Sequence, residues 1–241
     1  MKKKGIALVE RQYLFPFVLI TSLFFLWGFA HAILDVLNKH FQELLTITRT
    51  HSAMIQATMY MGYFIMAIPA GLFINRHGYR KGVVLGLLLY GIGSLLFIPG
   101  QYIASFNMFL FSLFVIGCGL TFLETAANPY VTELGARETA ASRLNFAQSF
   151  NGLGCIFAPI LTGLLLFSDE DKGASGNVAL PYAVMGVIVL LAALAFMRVR
   201  LPEIPHEEEV DSEGHHVGLW THKLFVFGLV ALFAYEVSEI S

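Results

Sequence analysis

Apolar residues run along this chain in long blocks. Residues 12–34, 50–75, 82–123, 144–168 and 173–197 contain no Asp, Glu, Lys or Arg. A helix that crosses a hydrocarbon core needs about 20 consecutive apolar residues, so each block is long enough for at least one crossing. The block 82–123 is double length, and Pro99-Gly100 together with Asn107 divide it in two. The pattern predicts six complete spans, near 13–37, 54–74, 82–99, 107–129, 142–167 and 180–198. A seventh is expected to begin at Lys223 and to be cut off at Ser241. The fold class is therefore an all-α polytopic membrane protein.

Polar positions inside these blocks form stripes. In the first span Trp27, His31, Asp35 and Asn38 are spaced 4, 4 and 3; in the fourth Gly117, Thr121, Glu124 and Asn128 are spaced 4, 3 and 4. Both spacings put their residues on one helical face. The second span holds Gln56, Tyr60 and Tyr63, and the fifth opens with Asn145, Gln148, Ser149, Asn151 and Gly152. Such stripes either glue helices together by hydrogen bonds or line a shared hydrated cavity. Two carboxylates, Asp35 and Glu124, weigh toward the cavity, because an acid at mid-bilayer costs roughly 2.5–3.5 kcal/mol even on the lower scales. Small residues at Gly82/Gly86 and Ala67/Gly71 predict close helix contacts without discriminating function.

Composition agrees with the blocks. The chain of 241 residues is 56% hydrophobic and 13% charged, against about 25% charged in soluble domains. Its mean hydropathy is +0.69. The apolar run after Met-Lys-Lys-Lys exceeds a signal-peptide core, and no A-x-A-like site follows it. Cys118 and Cys155 lie within apolar segments and read as small hydrophobes. The net charge of −2 implies no particular partner, and nothing supports nucleic-acid binding. The loops vote on orientation: twelve of the fifteen Lys and Arg residues fall on the side of residues 1–12, three on the other. The positive-inside rule then places the N-terminus and the 199–222 connection in the cytoplasm. That connection is acidic and carries Pro202 and Pro205, as a solvated linker does; its His206, His215 and His216 do not make a metal site. The expected division is a cytoplasmic N-terminus at 1–12, a six-helix bundle at 13–198, the acidic linker at 199–222 and a partial seventh helix at 223–241.

The chemistry suits a sugar. Sugar sites combine carboxylate acceptors, amides that donate and accept, and an aromatic face for the apolar side of the ring. Trp27, Glu124, Gln148 and Asn151 supply that set, with His31 and Asn128 as further candidates. A carboxylate partly buried in this way can exchange a proton as the cavity alternates its exposure. No Lys or Arg lies within the apolar blocks, which favours a protonatable acid over a fixed salt bridge. Depth is the difficulty, since Asp35 and Glu124 both come late in oppositely running spans. They approach mid-depth only if the first span continues through Asp35-Val-Leu-Asn-Lys-His-Phe41 and the fourth continues past Pro129.

Four stretches carry a family resemblance: LFFLWGFAHAILDVLNKHFQ, GYFIMAIPAG, LETAANPYVT and RLNFAQSFNGLG. The chain resembles the fucose permease group, the fucose–galactose–glucose:proton symporters of the major facilitator superfamily, from about residue 13 to its end. The loop Gly71–Lys81, GLFINRHGYRK, is similar to that superfamily's loop signature at Gly71, Arg76, Gly78 and Arg80. It departs from the signature at Phe73, Asn75 and Tyr79. The resemblance implies a twelve-helix fold, of which this is the N-terminal half, in the inner membrane of a bacterium. It implies proton-coupled uptake of a monosaccharide by alternating access, with the proton as coupling ion and no cofactor or metal, and no enzymatic activity.

Carried over by position, Asp35 and Glu124 match the group's acidic pair, and Trp27, Gln148 and Asn151 match its cavity residues. His31, Ala32 and Leu34 stand where the group has Asn, which leaves L-fucose as the lead substrate with glucose, galactose or an amino sugar open. Expected partners are the sugar, protons, membrane lipids and a separate C-terminal half. As a truncated or split product, the chain is expected to transport nothing alone. Another class of reading is a non-transporting sensor or assembly partner derived from a permease.

Overall fold

The computed structural model describes residues 7–44, 49–103, 105–167, 179–198 and 222–240. Every regular element among them is helical. A 3-10 turn, Arg11–Tyr13, leads into α1 (Leu14–Leu44); α2 (Arg49–His77), α3 (Tyr79–Leu95), α4 (Phe97–Ile103) and α5 (Phe106–Glu133) follow. After a second 3-10 turn, Arg137–Thr139, come α6 (Ala140–Phe167), α7 (Ala179–Arg198) and α8 (Lys223–Ile240). The stretches Arg11–Ile33, Met54–His77, Tyr79–Ile103, Phe106–Glu133 and Ala179–Arg198 are each long and apolar enough to cross a membrane. Helix α6 matches α5 in length at 28 residues, and its polar positions crowd into its first half.

Helix ends follow local chemistry. Gly78 turns the chain between α2 and α3 with φ 85°, a left-handed conformation that glycine adopts without a Cβ clash. Its N–H donates to Ile74 O at 2.8 Å and so closes α2. Ser105 opens α5 by accepting from the Met108 N–H. The double-length block divides differently from expectation. Pro99-Gly100 lies inside α4, and the helix is interrupted at Leu96. Pro99 has no N–H for the carbonyl four residues back, so the ladder fails at Leu95. Helix α4 runs to Ile103, and α5 begins at Phe106. Pro129 sits inside α5 without ending it.

Residues 1–204 form one compact unit, and residues 205–241, with α8, another. In the first, α5 is central, packing on α2 and α3, while α1 pairs with α6 and α3 with α7. Glycines make these pairings close. A Cβ on Gly28 (α1) would lie 2.1 Å from Asn151 O (α6), and one on Gly154 2.2 Å from Phe25 O. Gly117 meets Met59 O (α2) at 2.4 Å, and Gly86 meets Gly119 O at 2.8 Å. Gly86 thus does what its spacing predicted. Gly71 does not, since a Cβ there would meet nothing within 4 Å among the described residues. Between the helices lie buried Phe24, Ile33, Leu87, Tyr90, Leu120 and Tyr130. Their outer faces are apolar as well: Phe64 is 84% and Ile68 74% exposed on α2. Backbone polar groups are satisfied within helices, so such faces suit lipid or another apolar helix.

Two arginines tie the end of the bundle that carries the N-terminus. Arg143, at the start of α6, is fully buried. Its Nε–H donates to Val131 O, its Nη1 to Leu8 O, Ala136 O and Thr139 Oγ1, and its Nη2 to Thr132 O. The planar fork thereby satisfies the orphan carbonyls at the end of α5 and pins the N-terminal segment to them. Arg80 does the same for α7, donating to Phe196 O at 3.3 Å and to Met197 O. Cations at helix C-termini also meet the negative end of the macrodipole.

Candidate functional site

The α1 stripe points in part at α2. Trp27 and His31 are one turn apart and half-buried, with rings edge-on at 6.1 Å between centroids. Tyr63 of α2 reaches both. Trp27 Nε1–H donates to Tyr63 Oη at 3.2 Å, and His31 Nε2 lies 3.0 Å from the same oxygen. Tyr60, one turn earlier on α2, keeps its ring 6.3 Å from that of Tyr63. Glu124 of α5 is half-buried and near enough for its charge to act on the Tyr63 phenol. Helices α1, α2 and α5 thus converge on one polar cluster inside an apolar bundle.

Asn151 of α6 lies on the α1–α6 seam beside this cluster. Its Nδ2 donates to Phe24 O at 3.3 Å, possible only because Gly28 and Gly154 let the α1 and α6 backbones touch. One turn on, Cys155 Sγ lies 3.4 Å from Gly28 O. Gln148, one turn before Asn151, is exposed. On α5 the predicted stripe divides. Gly117 and Thr121 are buried, the first against α2 and the second donating to Gly117 O at 2.8 Å. Only Glu124 and Asn128 remain partly accessible. Asn128 Oδ1 is buried and accepts no hydrogen bond among the described residues. Asp35 lies on α1, but its side chain, with that of Asn38, is outside the described residues, as are His206, His215 and His216.

Depth follows from helix rise. At about 1.5 Å per residue, Trp27 and His31 lie roughly 20 and 26 Å from the start of α1. By the same measure Tyr63 lies roughly 21 Å from the end of α2, Asn151 about 17 Å from the start of α6 and Glu124 about 14 Å from the end of α5. These depths, roughly 14–26 Å from one end of the bundle, all fall within a core about 30 Å thick. Helix α1 runs nine residues beyond Asp35 and α5 nine beyond Glu124. Both acidic positions are therefore drawn away from opposite surfaces, by the two extensions that the depth argument required.

The sequence named Tyr63 as a polar position without selecting it. Gln56, Tyr60 and Tyr63 look alike along α2, yet the first two are exposed and Tyr63 turns into the bundle. The usable signal was its distance along α2, which matches the depth of Trp27. As a set, an indole face, a phenol, an imidazole, amides and a carboxylate suit a neutral polyol: they donate and accept many hydrogen bonds and offer one apolar face. No group of three or more His, Cys, Asp or Glu residues that could hold a metal occurs among the described residues.

A sequence profile described as the Major Facilitator Superfamily matches residues 17–237. The glucose/galactose transporter of Brucella abortus biovar 1 (strain 9-941) is 36% identical over 236 residues, covering 96% of this chain and 57% of that protein. The L-fucose-proton symporter of Escherichia coli (strain K12) is 37% identical over 223 residues, covering 85% and 51% respectively. A crystal structure of the E. coli fucose:proton symporter matches with a TM-score of 0.68 and 34% identity, over 92% of this chain and 56% of its own. The chain spans about half the length of the curated relatives it matches.

Proposed function

The chain belongs to the major facilitator superfamily, and on that premise we propose that it is the N-terminal, sugar-contacting half of a proton-coupled monosaccharide transporter in a bacterial inner membrane. The observation that carries this reading is the intramembrane polar cluster of Trp27, His31, Tyr63 and Glu124, with Asn151 on the adjoining α1–α6 seam. It offers a polyol-binding surface of donors, acceptors and an aromatic face at a depth where lipid would not solvate them. Trp27 supplies the face for the sugar ring. Asn151 and Gln148 supply amides, and Asn128 Oδ1 accepts from a sugar hydroxyl. Glu124 accepts from sugar hydroxyls and, with Asp35, takes up and releases the coupling proton.

In the whole transporter six further helices close the cavity, consistent with relatives about twice as long. The two halves rock about the sugar, so that each acid faces one side and then the other. The distribution of cations sets the N-terminus in the cytoplasm. Arg76, Arg80, Lys81, Arg137, Arg143 and Arg198 then crowd the cytoplasmic end of the bundle. L-fucose is the lead substrate. Glucose or galactose is the second reading, favoured by His31, Ala32 and Leu34 at positions where the fucose permease group carries Asn and by a glucose/galactose transporter among the relatives.

The test is uptake by the longest product its reading frame encodes, reconstituted in liposomes under an inward proton gradient. Labelled L-fucose, glucose and galactose are compared, and a pH-sensitive dye follows the proton. One of the three should accumulate, with co-entry of protons. Glu124→Gln should abolish accumulation and leave exchange of internal for external sugar. Absence of sugar-dependent proton entry with all three would refute the proposal.

A further inference from the structure

Tyr63 Oη is the point where α1 and α2 meet chemically, and its hydrogen-bond arithmetic has two solutions. An indole N–H only donates, so Trp27 takes one of the two lone pairs of Oη at 3.2 Å. A single proton lies between Oη and His31 Nε2, 3.0 Å away. With a neutral imidazole bare at Nε2, the phenol donates its own hydrogen to that nitrogen and has none to offer elsewhere. With a hydrogen on Nε2, as in the imidazolium or the other neutral tautomer, Nε2–H donates and Oη accepts it. Oη then accepts from both α1 side chains, and its hydrogen must turn away from α1.

We propose that His31, Tyr63 and Trp27 form a proton-operated donor switch in the sugar site. Starting from neutral His31 with its hydrogen on Nδ1, protonation of Nε2 turns the Tyr63 O–H from the imidazole toward a sugar oxygen. The step balances: one proton enters from solution onto Nε2, the phenol keeps its hydrogen and stays neutral, and no other bond changes. Among the described residues the titratable groups facing the pair are these. From α5 comes Glu124; from α3 and α2 come Tyr90 and Tyr60, phenols that do not ionise near neutral pH. The α6 side contributes Asn151 and Cys155, and Asp35 follows one turn later on α1. Histidine is the group among these whose charge ordinarily changes between about pH 5 and 8. The switch rests on the sugar-site reading and deepens it: Tyr63 becomes a sugar-contacting residue whose donation depends on the proton.

The chain supplies its own reporter. It has two tryptophans, and Trp220→Phe leaves Trp27 edge-on to His31 at 6.1 Å, where an imidazolium quenches indole emission more than an imidazole does. Emission should fall in one step between about pH 8 and 5, and the step should vanish in His31→Gln. A step that survives His31→Gln overturns the switch without any measurement of transport. Calorimetric binding of L-fucose, glucose and galactose to the full reading-frame product at both pH values supplies the other arm. The bound sugar should show about tenfold tighter binding at the lower pH, the worth of one added hydrogen bond. By reciprocity it should raise the midpoint of the emission step. Tyr63→Phe should keep the step and lose both the tenfold difference and the midpoint shift. Equal affinity at the two pH values, or a Tyr63→Phe variant that behaves as the parent does, refutes the switch and leaves the sugar site standing. Binding of none of the three sugars refutes both.

Discussion

Replacing Gly28 by alanine tests the packing on which the site stands. The added Cβ would lie 2.1 Å from Asn151 O, where ordinary contact begins at 3.4 Å. The obstacle is backbone and cannot swing aside, so α1 and α6 must part by about 1.3 Å. A radial gap of about 1 Å forfeits up to half of each dispersion well across the seam. It also stretches the 3.3 Å bond from Asn151 to Phe24 O beyond hydrogen-bonding range. Overpacking of this kind costs about 1–3 kcal/mol, set against a gain in helix propensity of about 1 kcal/mol for Gly→Ala. Gly163→Ala is the control: it lies on the same α6, and a Cβ there meets nothing within 4 Å among the described residues, so the propensity gain is what applies. Thermal unfolding in detergent, followed by circular dichroism, should place Gly28→Ala several degrees below Gly163→Ala, with sugar affinity reduced as Trp27 and Asn151 move apart. Gly154→Ala should behave alike, its Cβ being 2.2 Å from Phe25 O. The double variant should cost less than the two together, because one separation relieves both clashes. A Gly28→Ala protein as stable as Gly163→Ala would refute the reasoning.

Arg143→Met should lower unfolding stability by roughly 3–5 kcal/mol, because it strips partners from buried carbonyls at the end of α5. Arg143→Lys should recover little of the loss, since an ammonium cannot span Val131, Thr132 and Ala136 at once; urea or thermal unfolding reads both, and stability near the parent in either would contradict the clamp. Arg80→Ala frees the end of α7 and should cost only about 0.3–1 kcal/mol, with hydrogen exchange rising in the last turn of α7 before anywhere else. Gly78→Ala forces a Cβ into φ 85° and should destabilise by about 1–2 kcal/mol, measurable in the same melts, whereas Gly71→Ala, where a Cβ meets nothing within 4 Å among the described residues, should not.

The long helices of this protein were legible because hydrocarbon leaves the chain one local solution. A block of about 20 uncharged residues has to become a helix, and α1 to α7 lie where the blocks lie. Trp27, His31, Glu124 and Asn151 were legible for the related reason that polar groups in such blocks are expensive. What spacing could not supply was the azimuth of each helix, which depends on where its neighbours stand. Gly86 and Gly71 belong to similar small-residue pairs, yet one meets a neighbouring backbone and the other meets nothing among the described residues. Gly117 belongs to the polar stripe of α5 by period but serves as its crossing with α2. Tyr63 and Tyr60 are alike in sequence, and only the approach of α1 makes the first a partner of residues 36 and 32 positions away. Arg143 reads as one more loop cation until the end of α5 folds over it. Local chemistry decided that these segments are helices and which residues sit uneasily in them; the contacts between helices decided which of those residues meet.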